Sequence, residues 1–211
     1  MARVARLIVL VSGSGSNLQA LINATQDGTL TAEIVLVVSN RPDAYGLQRA
    51  RLAGIDTLPF PLKPYSVAGE SREDYDADLA KQLKHLDPNL IVLAGWKHVL
   101  SPAFLDKFPG QVINIHCTLP GNFNGVDAVE RAYEAYQAGE IDHSGCSVRY
   151  VLHEVDAGPL VAQNFVPFRA GESFDDFELR MHAAEHQLIV RATRLALAET
   201  TAIDEQSRGP G

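Results

Sequence analysis

Two polar side chains interrupt an otherwise apolar stretch, QVINIHCTLP over residues 111–120. Val112, Ile113 and Ile115 read as a buried strand, with Asn114 and His116 set two residues apart within it. Side chains alternate faces along a strand, so positions i and i+2 share one. Asn114 and His116 therefore point the same way, at the end where Pro120 and Gly121 break the strand. An amide that can donate to an oxyanion beside an imidazole that can exchange a proton is catalytic equipment. The same pair also serves as a plain polar cap on a strand end. A second strand, SVRYVLHEVDAGP over residues 147–159, runs into a tight turn that carries Asp156. An acid there can orient His116 or relay its proton, although Asp ahead of Ala-Gly-Pro is equally an ordinary turn residue.

A third stretch offers binding rather than chemistry. Residues 6–11 read as a strand, with Leu7 to Val11 a continuous run of branched apolar side chains, followed at once by SGSGSN over residues 12–17. Leu18, Leu21 and Ile22 then recur at helical spacing. In this strand–turn–helix unit the backbone N–H groups of Gly15, Ser16 and Asn17 lie at a helix N-terminus, which is an anion site. The turn lacks the dinucleotide fingerprint, and it lacks the Lys that a nucleoside-triphosphate loop places after its second Gly. A phosphomonoester is the favoured occupant. The plainer reading is a tight turn with Ser or Asn as N-cap.

The elements that must position these residues alternate along the chain. Strands are predicted at residues 6–11, 32–38, 56–61, 90–94, 112–116, 147–152 and 160–167. Helices are predicted from residue 18, over 44–53, from Ser71 with a capping-box-like start, from Ser101, over 126–138, and from Ser173. Residues 63–70 read as a loop, 121–125 as a mobile loop and 201–211 as a polar, disordered tail. The order implies an α/β class: a Rossmann-like, mostly parallel twisted sheet of about seven strands with helices on both faces. Ligands in such sheets bind at the carboxyl ends of the strands. The 12–17 turn, the loop at 95–100 and His116 all fall on that edge.

Composition narrows the partners. The chain has 211 residues, 46% hydrophobic and 21% charged, which fits one sizeable soluble domain over residues 1–200. A formal net charge of -8 argues against nucleic acid or an anionic membrane as the main partner. Cys117 and Cys146 make no disulfide framework, so a cytoplasmic setting is expected. No apolar run reaches transmembrane length, and the start leads straight into a strand rather than a signal peptide.

Five motifs occur in one order: Ser-Gly-Ser-Gly-Ser-Asn-Leu, Ala-Gly-Trp, Asn-Ile-His, Leu-Pro-Gly-x-Phe-x-Gly and Val-Asp-x-Gly-Pro. Together they resemble the folate-dependent formyltransferase family. The first turn and Ser71-Arg-Glu-x-Tyr75 narrow the likeness to the branch that formylates glycinamide ribonucleotide in purine biosynthesis. The resemblance covers about residues 6 to 198. It implies a formyltransferase fold whose N-terminal half binds the ribonucleotide and whose C-terminal half binds folate. By the match, Asn114, His116 and Asp156 are the catalytic trio, and Gly15, Ser16 and Asn17 hold the phosphate. Arg72 lines the substrate side and Glu185 contacts the ribose hydroxyls. Trp96, Lys97, His98, Val99 and Leu100 wrap the pterin, together with Leu152, His153, Glu154 and Val155. The donor would be 10-formyltetrahydrofolate, the acceptor glycinamide ribonucleotide, and no metal is required. A monomer or a homodimer is expected.

The sequence departs from the family pattern at three positions. Cys117 stands where Pro usually follows the His, Lys97 where Met is frequent, and Arg149 where His is frequent. Lys97 sets a charge beside the folate loop, either reaching the donor's acidic glutamate tail or facing solvent. Arg149 lies near Asp156, where a cation lowers a carboxyl pKa. Other readings are a formyltransferase for an amino sugar nucleotide or methionyl-tRNA, a formyltetrahydrofolate deformylase, or a non-catalytic ligand-binding homologue. The first three usually carry an added domain.

Overall fold

The computed structural model describes residues 4–121, 123, 127–154 and 157–207, with side chains of the last helix as far as residue 199. Val155 and Asp156, and most of the loop expected at 121–125, lie outside the described residues. The first strand, β1 (Ala5–Val11), is fully buried from Leu7 to Val11. Leu7, Val9 and Val11 enter the core on one side of the sheet, and Ile8 and Leu10 enter the core on the other. Both faces are covered, so the strand reads as an unbroken apolar run instead of an alternation.

The other strands are β2 (Ala32–Ser39), β3 (Thr57–Pro59), β4 (Leu90–Leu93), β5 (Val112–His116), β6 (His143–Tyr150) and β7 (Leu160–Pro167). They form one seven-stranded sheet in the order β3-β2-β1-β4-β5-β6-β7. Pairing is parallel from β3 through β5, and antiparallel where β6 joins β5 and β7 joins β6. The chain moves outward from β1 to β3, then returns to lay β4 on the other side of β1. The strand order thus reverses at the β1–β4 boundary, where open α/β sheets leave a crevice at their carboxyl ends. Ser12 N–H bonds to Gly95 O at 3.1 Å and Lys97 N–H to Ser12 Oγ at 2.9 Å, closing the two loops on each other there.

Helices cover both faces. On one lie α1 (Ser16–Gln26), α2 (Tyr45–Leu52) and the long α7 (Phe174–Ser207). On the other lie α4 (Arg72–Lys84) and the short α5 (Pro102–Leu105). The Ser71 start of α4 is a full capping box: Ser71 Oγ accepts from Asp74 N–H and the Asp74 carboxylate accepts from Ser71 N–H. Loss of such a cap costs about 1 kcal/mol.

Three boundaries differ from expectation. Residues 63–70 are not all loop, because α3 (Lys63–Ala68) occupies most of them. Pro64 sits in its first turn, where no N–H is needed, and Gly69 closes it at φ 76°. The sixth strand begins at His143, because Ser144, Gly145 and Cys146 pair with Val166, Phe165 and Asn164 on β7. The last helix continues to Ser207, past the expected start of the tail, since no Gly or Pro intervenes before Gly209. The helix expected from residue 126 is α6 (Ala128–Gln137). Among the described residues no helix is long and apolar enough to cross a membrane.

Candidate functional site

Asn114 and His116 close β5 on one face, as the alternation requires, and the Asn114 amide nitrogen stands 2.9 Å from His116 Nε2. Both line a cavity of about 630 Å³ at the carboxyl ends of β4 and β5. Trp96, Lys97, His98, Val99 and Leu100 contribute one wall and Leu152 another. Arg149, directly opposite Asn114 on β6, also lines it and donates to Gly158 O at 2.8 Å. Trp96 is buried, and its indole N–H has no acceptor among the described atoms. A buried donor without a partner is costly unless a ligand supplies one.

The described residues after Leu152 that were expected to meet folate behave differently. His153 pairs with Asp106 through Nε2 at 2.8 Å, and His153 and Glu154 do not line the cavity. Residues 157–159 are fixed against β6 from behind. Tyr150 N–H bonds to Pro159 O at 3.0 Å, and Gly158 lies so close to β6 that an added Cβ would overlap the Tyr150 carbonyl oxygen. Only glycine fits between that turn and the strand.

The glycine-rich turn at residues 12–17 follows β1, at the same switch point. Gly15 is the N-cap of α1 at φ 71°, and no side chain caps the helix. The first N–H groups of α1, from Ser16 and Asn17, thus have no side-chain cap among the described residues, at the positive end of the helix. A Cβ at Gly15 would stand 2.6 Å from Gly46 Cα, so α1 and α2 approach too closely for any other residue. Arg49 on α2 clamps the turn, donating through Nε to Ser14 O at 2.8 Å.

Glu185 reaches this turn from α7, 168 residues away in sequence. Its carboxylate accepts from Asn17 Nδ2 at 3.1 Å, and both side chains are buried. His182, one helical turn earlier, approaches the same oxygen at 3.5 Å. That contact, outweighing burial, holds the His182 pKa above its ordinary value. Burial, then the charge of Glu185, pushes the Cys117 thiol up, which places the acid within electrostatic reach of the residue after His116. Arg72 stands on the other side, donating to Asp76 at 3.2 Å and to Val99 O at 2.9 Å. It braces the loop at 96–100 from behind.

Sequence reasoning missed two contributors. Ser12 holds the loop at Lys97 through its hydroxyl, and its position directly after β1 was the available signal. His182 shares Glu185, and its spacing of three residues on a helix puts the two on one face.

The chain is similar to known proteins over most of its length. The formyl transferase family matches residues 5–193. The phosphoribosylglycinamide formyltransferase of Schizosaccharomyces pombe is 47% identical over 198 residues, covering 90% of this chain and 95% of that protein. The enzyme of the same name from Escherichia coli is 40% identical, covering 86% of this chain and 82% of its own length. Among solved structures, glycinamide ribonucleotide transformylase 1 from Symbiobacterium toebii superposes with a TM-score of 0.85 at 36% identity. That likeness covers 94% of this chain and 90% of that one.

Proposed function

The chain belongs to the formyl transferase family, and from that premise we propose that it transfers the formyl group of 10-formyltetrahydrofolate to the primary amine of glycinamide ribonucleotide. The observation that carries the reading is the Asn114–His116 pair at 2.9 Å in a half-enclosed cavity at the switch point. The folate donor occupies that cavity, with its ring system against the loop at 96–100 and Leu152. The ribonucleotide phosphate sits at the N-terminus of α1 on the backbone of Gly15, Ser16 and Asn17. Glu185 takes the ribose hydroxyls, and its contacts with Asn17 and His182 hold the carboxylate in place. Arg72 acts by bracing the donor loop.

The amine attacks the formyl carbon, and the carbonyl oxygen gains negative charge. Asn114 donates a hydrogen bond to it. An amide nitrogen carries two N–H groups, so Asn114 can face His116 and the oxyanion at once. Turned over, its oxygen accepts from Nε2–H, the arrangement an imidazolium needs. His116 stabilises the charge and lies on the proton route. The C–N bond to the folate then breaks, and the proton lost by the attacking amine goes to the leaving nitrogen. Asp156, in the Val-Asp-x-Gly-Pro motif, favours the charged imidazole and assists that transfer.

The test is turnover of 10-formyltetrahydrofolate with glycinamide ribonucleotide, followed by absorbance of the folate product. Asn114→Ala is expected to lower kcat on the order of 100- to 1000-fold, as for a lost oxyanion donor. His116→Ala is expected to cost at least as much. Adding Asp156→Asn to His116→Ala should worsen it little, because residues acting as a unit are not additive. Near-parental rates in Asn114→Ala, His116→Ala and Asp156→Asn, each made alone, would place the chemistry elsewhere.

A further inference from the structure

Formyl transfer as described uses neither of the chain's two cysteines, yet the sheet sets them against each other. The antiparallel ladder of β5 and β6 runs from Ile113 opposite Tyr150 to His116 opposite Ser147, and the next opposed positions are Cys117 and Cys146. We infer that Cys117 and Cys146 form a reversible disulfide across the two strands when the protein meets a low-molecular-weight disulfide, and that this bond slows turnover. The bond stands on the sheet geometry; only its effect on turnover rests on the formyl-transfer reading above.

Register is the first argument. Val151 N–H donates to Val112 O at 2.9 Å, one step before the pair Ile113 and Tyr150, so that step is hydrogen-bonded. Tyr150 N–H turns the other way, to Pro159 O. Opposed pairs in an antiparallel ladder alternate between hydrogen-bonded and non-hydrogen-bonded, and the second kind stands closer, with Cα atoms about 4.5 Å apart. Counted on from Val112 and Val151, Cys117 and Cys146 fall on a non-hydrogen-bonded step. Disulfides span Cα separations of about 4.4 to 6.8 Å. Beyond His116 the chain stays on β6: Ser147 Oγ donates to Thr118 O at 2.8 Å, and a Cβ at Gly145 would stand 2.8 Å from Leu119 Cδ2.

Side-chain direction is the second. Cys146 packs in the core with Ile113 and Ile115, and Cys117 follows those two at the spacing that keeps one face. Burial raises the pKa of both thiols, Glu185 of α7 raises both further, and Cys117 adds to the rise at Cys146. The acid and the two thiols thus lie within electrostatic reach of one another, on one side of the sheet.

Access is the third. Cys146 is fully buried, whereas Cys117 is only partly so and lines the donor cavity. A small disulfide therefore meets Cys117 first. The Cys117 thiolate attacks one of its sulfurs, which releases one small thiol and leaves a mixed disulfide. Cys146, as its thiolate, attacks the Cys117 sulfur and releases the second small thiol. Two protein thiols and one small disulfide become one protein disulfide and two small thiols. Scarce thiolate makes the first step slow at neutral pH, while the second is intramolecular. Closing the bond draws the Cβ atoms from about 4.5–5.5 Å to about 3.8 Å, which shifts the residue next to His116 by up to about 1 Å.

The test treats the whole protein with excess glutathione disulfide, blocks remaining thiols with N-ethylmaleimide and digests with trypsin without reductant. Cleavage after Lys107, Arg131 and Arg149 places the cysteines on separate peptides, 108–131 and 132–149. Mass spectrometry is expected to find these two peptides joined, in protein that runs as a single chain on a non-reducing gel. Cys146→Ala should stop with glutathione on Cys117. Glutathione retained on Cys117 in the parent, both thiols left unmodified, or a link found only in covalent dimers overturns the inference. The oxidised parent is expected to turn over about 10- to 100-fold more slowly than the reduced one and to recover with dithiothreitol. A mapped bond with undiminished turnover overturns the effect on rate. A reduced protein without formyl transfer removes the functional reading instead, and the joined peptides still decide the bond.

Discussion

Gly158→Ala tests whether the turn after β6 has to sit where it does. A Cβ at this position overlaps the Tyr150 carbonyl oxygen and stands 2.7 Å from the carbonyl carbon. Comfortable carbon–carbon contact begins near 3.5 Å, so turn and strand must part by about 1 Å. The strand cannot yield easily, because β6 is paired on both edges, with β5 and β7. The turn is what moves, and with it the Gly158 carbonyl that Arg149, a residue of the cavity wall, grips at 2.8 Å. A misplacement of about 1 Å at a reacting group costs on the order of 100-fold in rate. Overpacking of this kind also costs roughly 1–3 kcal/mol of stability. For a domain of this size that is a fall in Tm of about 2–12 °C. The assay is single-turnover formyl transfer with both substrates saturating, beside a thermal melt. A variant that melts earlier but reacts at the parental rate would show that the turn has no catalytic part. One that matches the parent in both would refute the packing argument itself.

Other outcomes follow from the same geometry. Gly15→Val should raise KM for the ribonucleotide much more than for the donor, and should also lower Tm, because the side chain meets Gly46 whether or not phosphate is bound; an unchanged KM removes the phosphate assignment. Cys117→Pro should keep or raise activity, since direct transfer between amines needs no thioester and the raised pKa keeps the thiol protonated at neutral pH; a formylated Cys117 found by mass spectrometry during turnover would contradict this. The raised pKa of His182 stabilises the folded protein below the unfolded value, and that contribution disappears as pH climbs through the folded one. The Tm difference between the parent and His182→Gln should therefore shrink from pH 5.5 to 8.5, and a difference that grows would reverse the assignment.

Much of this was legible in local patterns. The unbroken apolar run of β1, the glycines after it and the two-residue spacing of Asn114 and His116 each report a local rule of backbone geometry. The α3 helix was not legible, because six residues give too little periodicity to detect and Pro64 reads as a breaker unless the helix start is already known. The start of β6 was hidden in His143-Ser-Gly, polar and small residues whose strand form comes from pairing with β7. The Asn17–Glu185 contact spans 168 residues, and no spacing rule reaches that far. His153 and Glu154 lie beside a cavity-lining residue in sequence, yet a strand-end loop turned them toward Asp106 and solvent. Adjacency along a loop does not carry side-chain direction.

The reach of α7 back to Asn17 also has a consequence for synthesis. A ribosome makes the turn at residues 12–17 well before Glu185, which follows Asn17 by 168 residues. Until α7 emerges, Asn17 has no acid partner, and one face of the central strands lacks Leu188, Ile189, Ala192 and Ala196 as cover. The nascent chain therefore holds an anion turn that is shaped but unsupported, beside exposed apolar surface. The buried acid partner of Asn17 and the cover for that face of the sheet therefore arrive together, with the final helix.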